Sequence, residues 1–303
     1  MLDLNAAFEE ADRTIKATIG DALARTNYGA RSGPILYEAD ADDVVVDYDF
    51  FIDQSGFEKF EQNIKLKTLL KKRIRHETDQ YVDNITIDLR KLRTKHGAGY
   101  QREARRLSAQ VPRFVDAKVA ALIKSTGPAF TENSFDGVPY FSKLHPRFEA
   151  GDVQVNLDDG GGGQYWYLFD TSVLPPIFWH WLLRPSIDPF GPDTEYARLN
   201  RRVKWDFHID AGWGMGPWYY GYASNQALNE GTLNTAMEAM QQVKLDAKTD
   251  GEDQLMGIMP TLLVVGRTNH LAARKLLTQT NLANGEDNAM RGILNFLHLP
   301  MLP

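Results

Sequence analysis

An α+β fold is predicted for this chain, and three observations carry the prediction. Val203, Trp205, Phe207, Ile209 and Ala211 alternate strictly with Lys204, Asp206, His208 and Asp210, the period of a half-buried strand. Residues 100–125 put Leu107, Val111, Phe114, Val115, Val119, Leu122 and Ile123 on one side and arginines on the other, the period of an amphipathic helix. From residue 225 onward, short helical stripes and short apolar runs follow one another, punctuated by Gly, Pro and Asn. With 303 residues, 43% of them hydrophobic, the chain can bury a substantial core in one large domain or two closely joined ones.

Taken in order, Leu4, Phe8, Ala11, Ile15, Ile19 and Leu23 recur at spacings of three or four, so residues 3–25 form an amphipathic helix that needs another element or subunit to pack on. Gly29, Gly33 and Pro34 end it. Val44 to Ile52 reads as a strand, and 62–82 as an extended hairpin or loop whose basic cluster, Lys71 to Arg75, is too charged for a core. Ile85, Ile87 and Leu89 make a further strand. Pro112 lies inside the helix of residues 100–125, where a proline removes a hydrogen bond and costs about 3 kcal/mol, so a kink is expected there.

The middle of the chain, Phe135 to Ser172, marks a change from an irregular, charged half to an orderly one. Within it, Gly160 to Gly163 reads as a flexible loop. Residues 173–187, interrupted by Pro175, Pro176 and Pro185, are not expected to form one regular element. The strand at 203–211 is expected to return through Gly212, Gly214 and Gly216 as a hairpin with 218–222. A helix over 233–243 starts behind Asn229 and Thr232, 246–254 is a polar, mobile loop, and Thr261 to Val265 is a buried strand. Asn269 caps a helix over 271–277, Asn284-Gly285 makes a turn, and Ile293 to Leu299 is a last strand.

Composition excludes several functions. A net charge of −6 argues against wholesale coating of nucleic acid, which needs a broad basic surface. The absence of cysteine removes disulfides, thiol catalysis and cysteine zinc sites together. The N-terminus lacks the basic start and apolar core of a secretory signal, and no window has the length of a membrane span, so a cytoplasmic protein, or something assembled in the cytoplasm, is expected. Charge is blocked along the chain: the first sixty residues are acidic and the next sixty basic, which points to pairing between subunits or to two distinct surfaces.

Asp136, His145, Asp158, Asp159, Asp170 and Ser172 invite an active-site reading of the middle segment. Nothing supports it: there is no Gly-x-Ser-x-Gly elbow, no His-Glu-x-x-His helix and no dinucleotide fingerprint. Asp206, His208 and Asp210 share one face of a strand, but without a second ligand cluster they read as a polar face opposite an aromatic one. His180, between Trp179 and Trp181, reads as a packing residue. No catalytic residue, metal or cofactor is expected, and the sequence is built for contacts.

Four separated blocks then agree in order with one known family. Phe135-Asp-Gly-Val-Pro-Tyr-Phe141 with Leu144-His145-Pro146, Tyr165-Trp-Tyr-Leu-Phe-Asp-Thr-Ser172, the segment from Lys204 to Ala223, and Met259-Pro-Thr-Leu-Leu-Val-Val265 with its following helix resemble the Mu-type major head subunit, the gpT-like major capsid protein family of Mu-like bacteriophages and prophages. The resemblance runs from about residue 80 to the end. It implies the tailed-phage major capsid fold of the Hong Kong 97 type. The plan expected from it is an N-terminal arm at 1–35, an extended loop region at 36–82, a peripheral domain with a spine helix at 83–139 and 201–224, and an axial domain at 140–200 and 225–303.

The function implied is a structural protein that assembles with itself into hexamers and pentamers of an icosahedral shell enclosing double-stranded DNA. Further implied partners are a scaffold, a head-maturation protease and a portal, with room for a decoration protein and with no membrane. Contacts between subunits are expected at Lys71, Lys72, Arg73 and Arg75 of the loop and at Glu9, Glu10 and Asp12 of the arm, and Pro112 is expected to be a hinge of the spine helix. Two other readings are a cellular nanocompartment shell of the same fold and, from another class, a hydrolase using His145 and Asp170.

Overall fold

The computed structural model describes residues 3–24, 31–51, 71–92, 97–124, 133–147, 150–246, 252–281 and 287–303. Asn284-Gly285 and residues 62–70 of the expected hairpin or loop lie outside them. The chain begins with helix α1 (Leu4–Ala24), which buries Ala7, Ala11, Ile15 and Ile19 as the periodicity requires. Strands β1 (Leu36–Asp40), β2 (Val45–Phe51) and β3 (Lys71–Asp88) follow, then a single turn, α2 (Leu89–Leu92), and the long helix α3 (Gly97–Lys124). The helix is continuous through Pro112.

Three two-residue strands, β4 (His145–Pro146), β5 (Val153–Gln154) and β6 (Leu157–Asp158), lead to β7 (Trp166–Phe169), β8 (Ile177–Phe190), α4 (Glu195–Asn200) and β9 (Arg202–Met215). The chain ends with β10 (Gly221–Ser224), α5 (Glu230–Gln241), β11 (Leu262–Val265), α6 (His270–Thr278) and β12 (Asn295–His298). Helix α5 is capped as its sequence foretells: the Asn229 side chain accepts from Thr232 N, and the Thr232 hydroxyl accepts from Asn229 N.

Two five-stranded sheets organise these elements. The first has the order β1-β8-β9-β3-β2, parallel only at β1/β8, and the second the order β12-β11-β7-β10-β6. One buried apolar cluster runs through both. On the first sheet, Phe114 of α3 meets Tyr81 of β3, Trp179 of β8 and Trp213 of β9 at ring distances of 4.7, 6.2 and 6.1 Å. A large side chain as fully buried as Trp179 contributes about 1.5–3 kcal/mol, and the other three, half-buried, contribute less. Helix α1 lies along α3; its Phe8 stacks on Trp205 at 5.0 Å, and the Trp205 indole donates to Asp12 at 2.9 Å.

Several expectations are corrected. Residues 173–176 lie outside any strand, as expected of their prolines, but 177–190 form one strand, because register shifts between Trp181 and Leu183 and between Leu183 and Ser186 take Pro185 out of the ladder. The partners of β9 are β8 and β3, not 218–222. Pro217 has no N–H with which to begin a return strand, so Trp218–Tyr220 makes a tight turn and β10 joins the second sheet between β7 and β6.

Sheet membership therefore crosses the expected division: β8 sits in the first sheet and β10 in the second. Within the Gly160 run, Gly161 and Gly163 lie against Asn225, where a Cβ at Gly161 would be 2.3 Å from the carbonyl oxygen, while Gly162 faces open space. Asn269 caps nothing through its side chain, which donates instead to Gln164 O at 2.9 Å. The loop at 246–254 is tied where it is described, since Leu245 N bonds Gln254 O and Asp253 binds Arg147.

Candidate assembly surfaces and the crossing segment

The histidine and aspartates of the middle segment form a structural knot. His145 and Asp136 are fully buried, with Nδ1 of the ring 2.7 Å from the carboxylate, and the ring stacks on Trp218 at 4.0 Å. Nε2 faces Tyr140 O at 3.2 Å and Asn156 Oδ1 at 3.1 Å. Asn156 is the hub: its amide nitrogen reaches Tyr140 O, Trp218 O and Gly221 O, and its oxygen also accepts from Ser142 N at 2.8 Å.

Asp170 belongs elsewhere. It accepts from Ser172 N and Oγ and from Met259 N, holding a turn between β7 and the start of β11. The hydrolase alternative thus loses its acid–base pair, because the carboxylate beside His145 is Asp136, and both are sealed from any substrate. Asp158 and Asp159 hold the Gly160 turn and Lys143. Among the described residues no three His, Asp or Glu side chains converge as a metal site, and Asp206 pairs with Lys204 beside it.

Two groups escaped the sequence reading. Arg147 is 1% exposed, and its guanidinium bridges Asp152, Asp253 and Leu245 O, clamping the β4–β5 turn to the segment after α5. Lys244 and Arg147 together hold the Asp253 carboxyl down to about 2. The only sequence signal was a charged residue after His145-Pro146 with an acid five positions on, across a Gly151 turn. The second group is a layer of rings on the far face of the first sheet, where His76 stacks on His180 at 5.7 Å and Tyr48 on Phe178 at 4.5 Å. They cover Gly212 and Gly214, at which a Cβ would collide with the imidazoles. His180 is indeed a packing residue.

The expected contact residues lie on two exposed elements. β2 and β3 pair in register from Val45↔Glu77 to Phe51↔Lys71, beyond the last β3–β9 pair at Thr78↔Gly212, as a two-stranded ribbon whose Tyr48 and His76 pack on Phe178 and His180. Arg73 binds Asp49 at 3.1 Å and Asp47 at 3.0 Å, and Arg75 binds Asp47 at 3.0 Å. Hydrogen bonding to Arg75 holds the Asp47 carboxyl below its ordinary range. The arginines thus have partners within their own ribbon. Lys72 follows them toward the tip, and of Lys71 only the backbone is described, paired with Phe51. Glu9 and Glu10 are exposed on α1, whereas Asp12 is engaged by Trp205 and Lys16. No helix among the described residues is long and apolar enough to cross a membrane.

Comparison with known proteins places this architecture. No curated protein matches the sequence. Among solved structures, the procapsid protein of bacteriophage JBD30 superposes with a TM-score of 0.74 at 20% identity, covering 96% of this chain and 97% of that one. The JBD30 capsid gives 0.76 at 15% identity and 93% of each chain, and a JBD30 capsid decorated with minor capsid protein trimers gives 0.68 at 15% identity, covering 89% of this chain and 90% of that one. These likenesses establish the tailed-phage capsid fold. The family model of the Mu-like prophage major head subunit gpT matches residues 41–302, starting well before the blocks legible by eye, and the chain belongs to that family of structural head proteins.

Proposed function

We propose that this head subunit assembles with itself, in the cytoplasm of a bacterial host, into hexamers and pentamers of an icosahedral shell that encloses double-stranded DNA. The observation that carries the reading is the family match across residues 41–302. The first sheet with α3 serves as the peripheral domain and the second sheet with α5 and α6 as the axial one. Many modest contacts per subunit then add up through closed symmetry.

The β2–β3 ribbon reaches a neighbouring subunit. Arg73 and Arg75 stiffen it from within, Lys71 and Lys72 carry its charge toward the tip, and Glu9 and Glu10 offer the acidic counterpart on the arm. Asp12 serves that arm indirectly, by docking it on Trp205. A scaffold, a protease and a portal act during assembly, and a minor capsid protein decorates the outside. Pro112, which offers Ser108 no N–H, is the point at which α3 bends on expansion.

Electron microscopy and sedimentation of the purified chain test the reading: shells in the megadalton range are expected, and a compact monomer under assembly conditions refutes it. For the hinge, α3 should differ in bend between precursor and expanded shells; equal bends would remove Pro112 from the mechanism.

A further inference from the structure

Helix α3 turns Leu107, Val111, Val115, Val119 and Ile123 inward, which leaves one stripe of its surface outward. Along that stripe lie Arg102, Arg105, Ala109, Arg113, Ala117, Ala121 and Lys124, all exposed. The four cations have no hydrogen-bond or ion-pair partner among the described residues, while Glu103, exposed on the same helix, is taken by Arg106. From Arg102 to Lys124 the rise of the helix is about 33 Å, comparable to ten base pairs of duplex at about 3.4 Å each. Beside Arg105, a groove of about 670 Å³ between α1 and α3 adds Arg13, Gln101 and Thr14, with Asp21 as its one carboxylate.

In a chain with 40 acidic and 34 basic residues, a line of unpaired cations makes a local positive field that attracts a polyanion. A second copy of this chain is a poor match. The exposed acids of α1 alternate with Arg13 and Lys16, Asp47 and Asp49 are held by the ribbon's arginines, and the acidic turn at Asp42 and Asp43 is short. The alanines between the cations let a smooth rod approach closely.

We propose that this stripe of α3 contacts the phosphate backbone of duplex DNA, without sequence preference. The proposal rests on the reading of the chain as a subunit of a DNA-filled shell and assigns the face that meets the contents. Four phosphate contacts give a slope of about −3.6 in log K against log salt, a weakening of roughly 150-fold between 50 and 200 mM.

The test is a salt titration of a 30-base-pair duplex against the full-length chain, alongside circular dichroism and electron microscopy. In the variant Arg102→Gln, Arg105→Gln, Arg113→Gln the slope should fall to about −0.9, a loss of only three- to fourfold over the same range. Shells should still form, and Arg73→Gln with Arg75→Gln should leave the slope unchanged. An unaltered slope in the triple variant overturns the proposal. So does a folded triple variant that binds DNA normally yet cannot assemble, which would give the stripe to a neighbouring subunit. If the triple variant does not fold, Arg113→Gln alone must lower the slope by about 0.9. Absence of shells from the wild-type chain would sink the shell reading while the slopes still decide the stripe.

Discussion

His76 and His180 are buried together on the far face of the first sheet, and neither Nδ1 finds a partner among the described residues. Burial, and for His76 the neighbouring His180, pushes each ring from 6.5 down to about 4. The sign follows from which state binds protons. Between pH 6.5 and about 4 the unfolded chain takes up protons that the fold refuses. Stability present above pH 6.5 is therefore lost as the pH falls toward 4, at up to about 1.4 kcal/mol per pH unit for each histidine. Urea unfolding at pH 7, 5.5 and 4.5 should show that decline, and His76→Gln with His180→Gln should flatten it even though the variant starts less stable. An equally steep decline in the variant would remove the pair as its source.

At the scale of elements, the ribbon shows how a reading by charge alone goes astray. The acidic and basic blocks of the sequence point to pairing between subunits or to two distinct surfaces, whereas β2 brings Asp47 and Asp49 directly opposite Arg75 and Arg73. Each exposed pair is worth at most about 1 kcal/mol, so Arg73→Glu with Arg75→Glu should scarcely change the unfolding midpoint of the subunit. It should instead splay the ribbon by like-charge repulsion and reduce the yield of shells. Adding Asp47→Arg and Asp49→Arg restores the pairing with its signs exchanged, and shells should return; if they do not, the positive charge itself is needed by a neighbour. Strands and helices with unbroken periodicity, such as β9, α3 and α5, were legible in the sequence because the pattern depends only on local burial. The partners of β8 and β10 were not, because a bulge around Pro185 and a turn at Pro217 decide them, and both depend on what packs from elsewhere. The site failed to read for the same reason: His145 lies nine residues from Asp136, but Asn156, which joins them to the second sheet, is one of several polar residues in the run from Asp152 to Asp159.

Across the whole molecule, the two sheets are joined by chain between β7 and β8 and again at the end of β9, and by side chains at Asn156. The amide of that residue holds Trp218 O and Gly221 O, on the path from one sheet to the other, to Tyr140 O of the crossing segment. With Asn156 1% exposed, no water is at hand to replace these bonds. Asn156→Asp keeps the shape but turns the donor into an acceptor facing three carbonyl oxygens. Each buried group left unsatisfied costs about 1–3 kcal/mol, more where a charge is involved, so a total of about 3 kcal/mol or more is expected, while the sheets keep their own ladders and cores. Loss should therefore fall on the coupling between them. Hydrogen exchange should rise first in β10 and in residues 140–156, ahead of β9 and β11, and thermal unfolding should broaden or divide into two steps. Uniform acceleration across both sheets, with a single sharp transition, would mean that the common apolar core, and not this knot, makes them one unit.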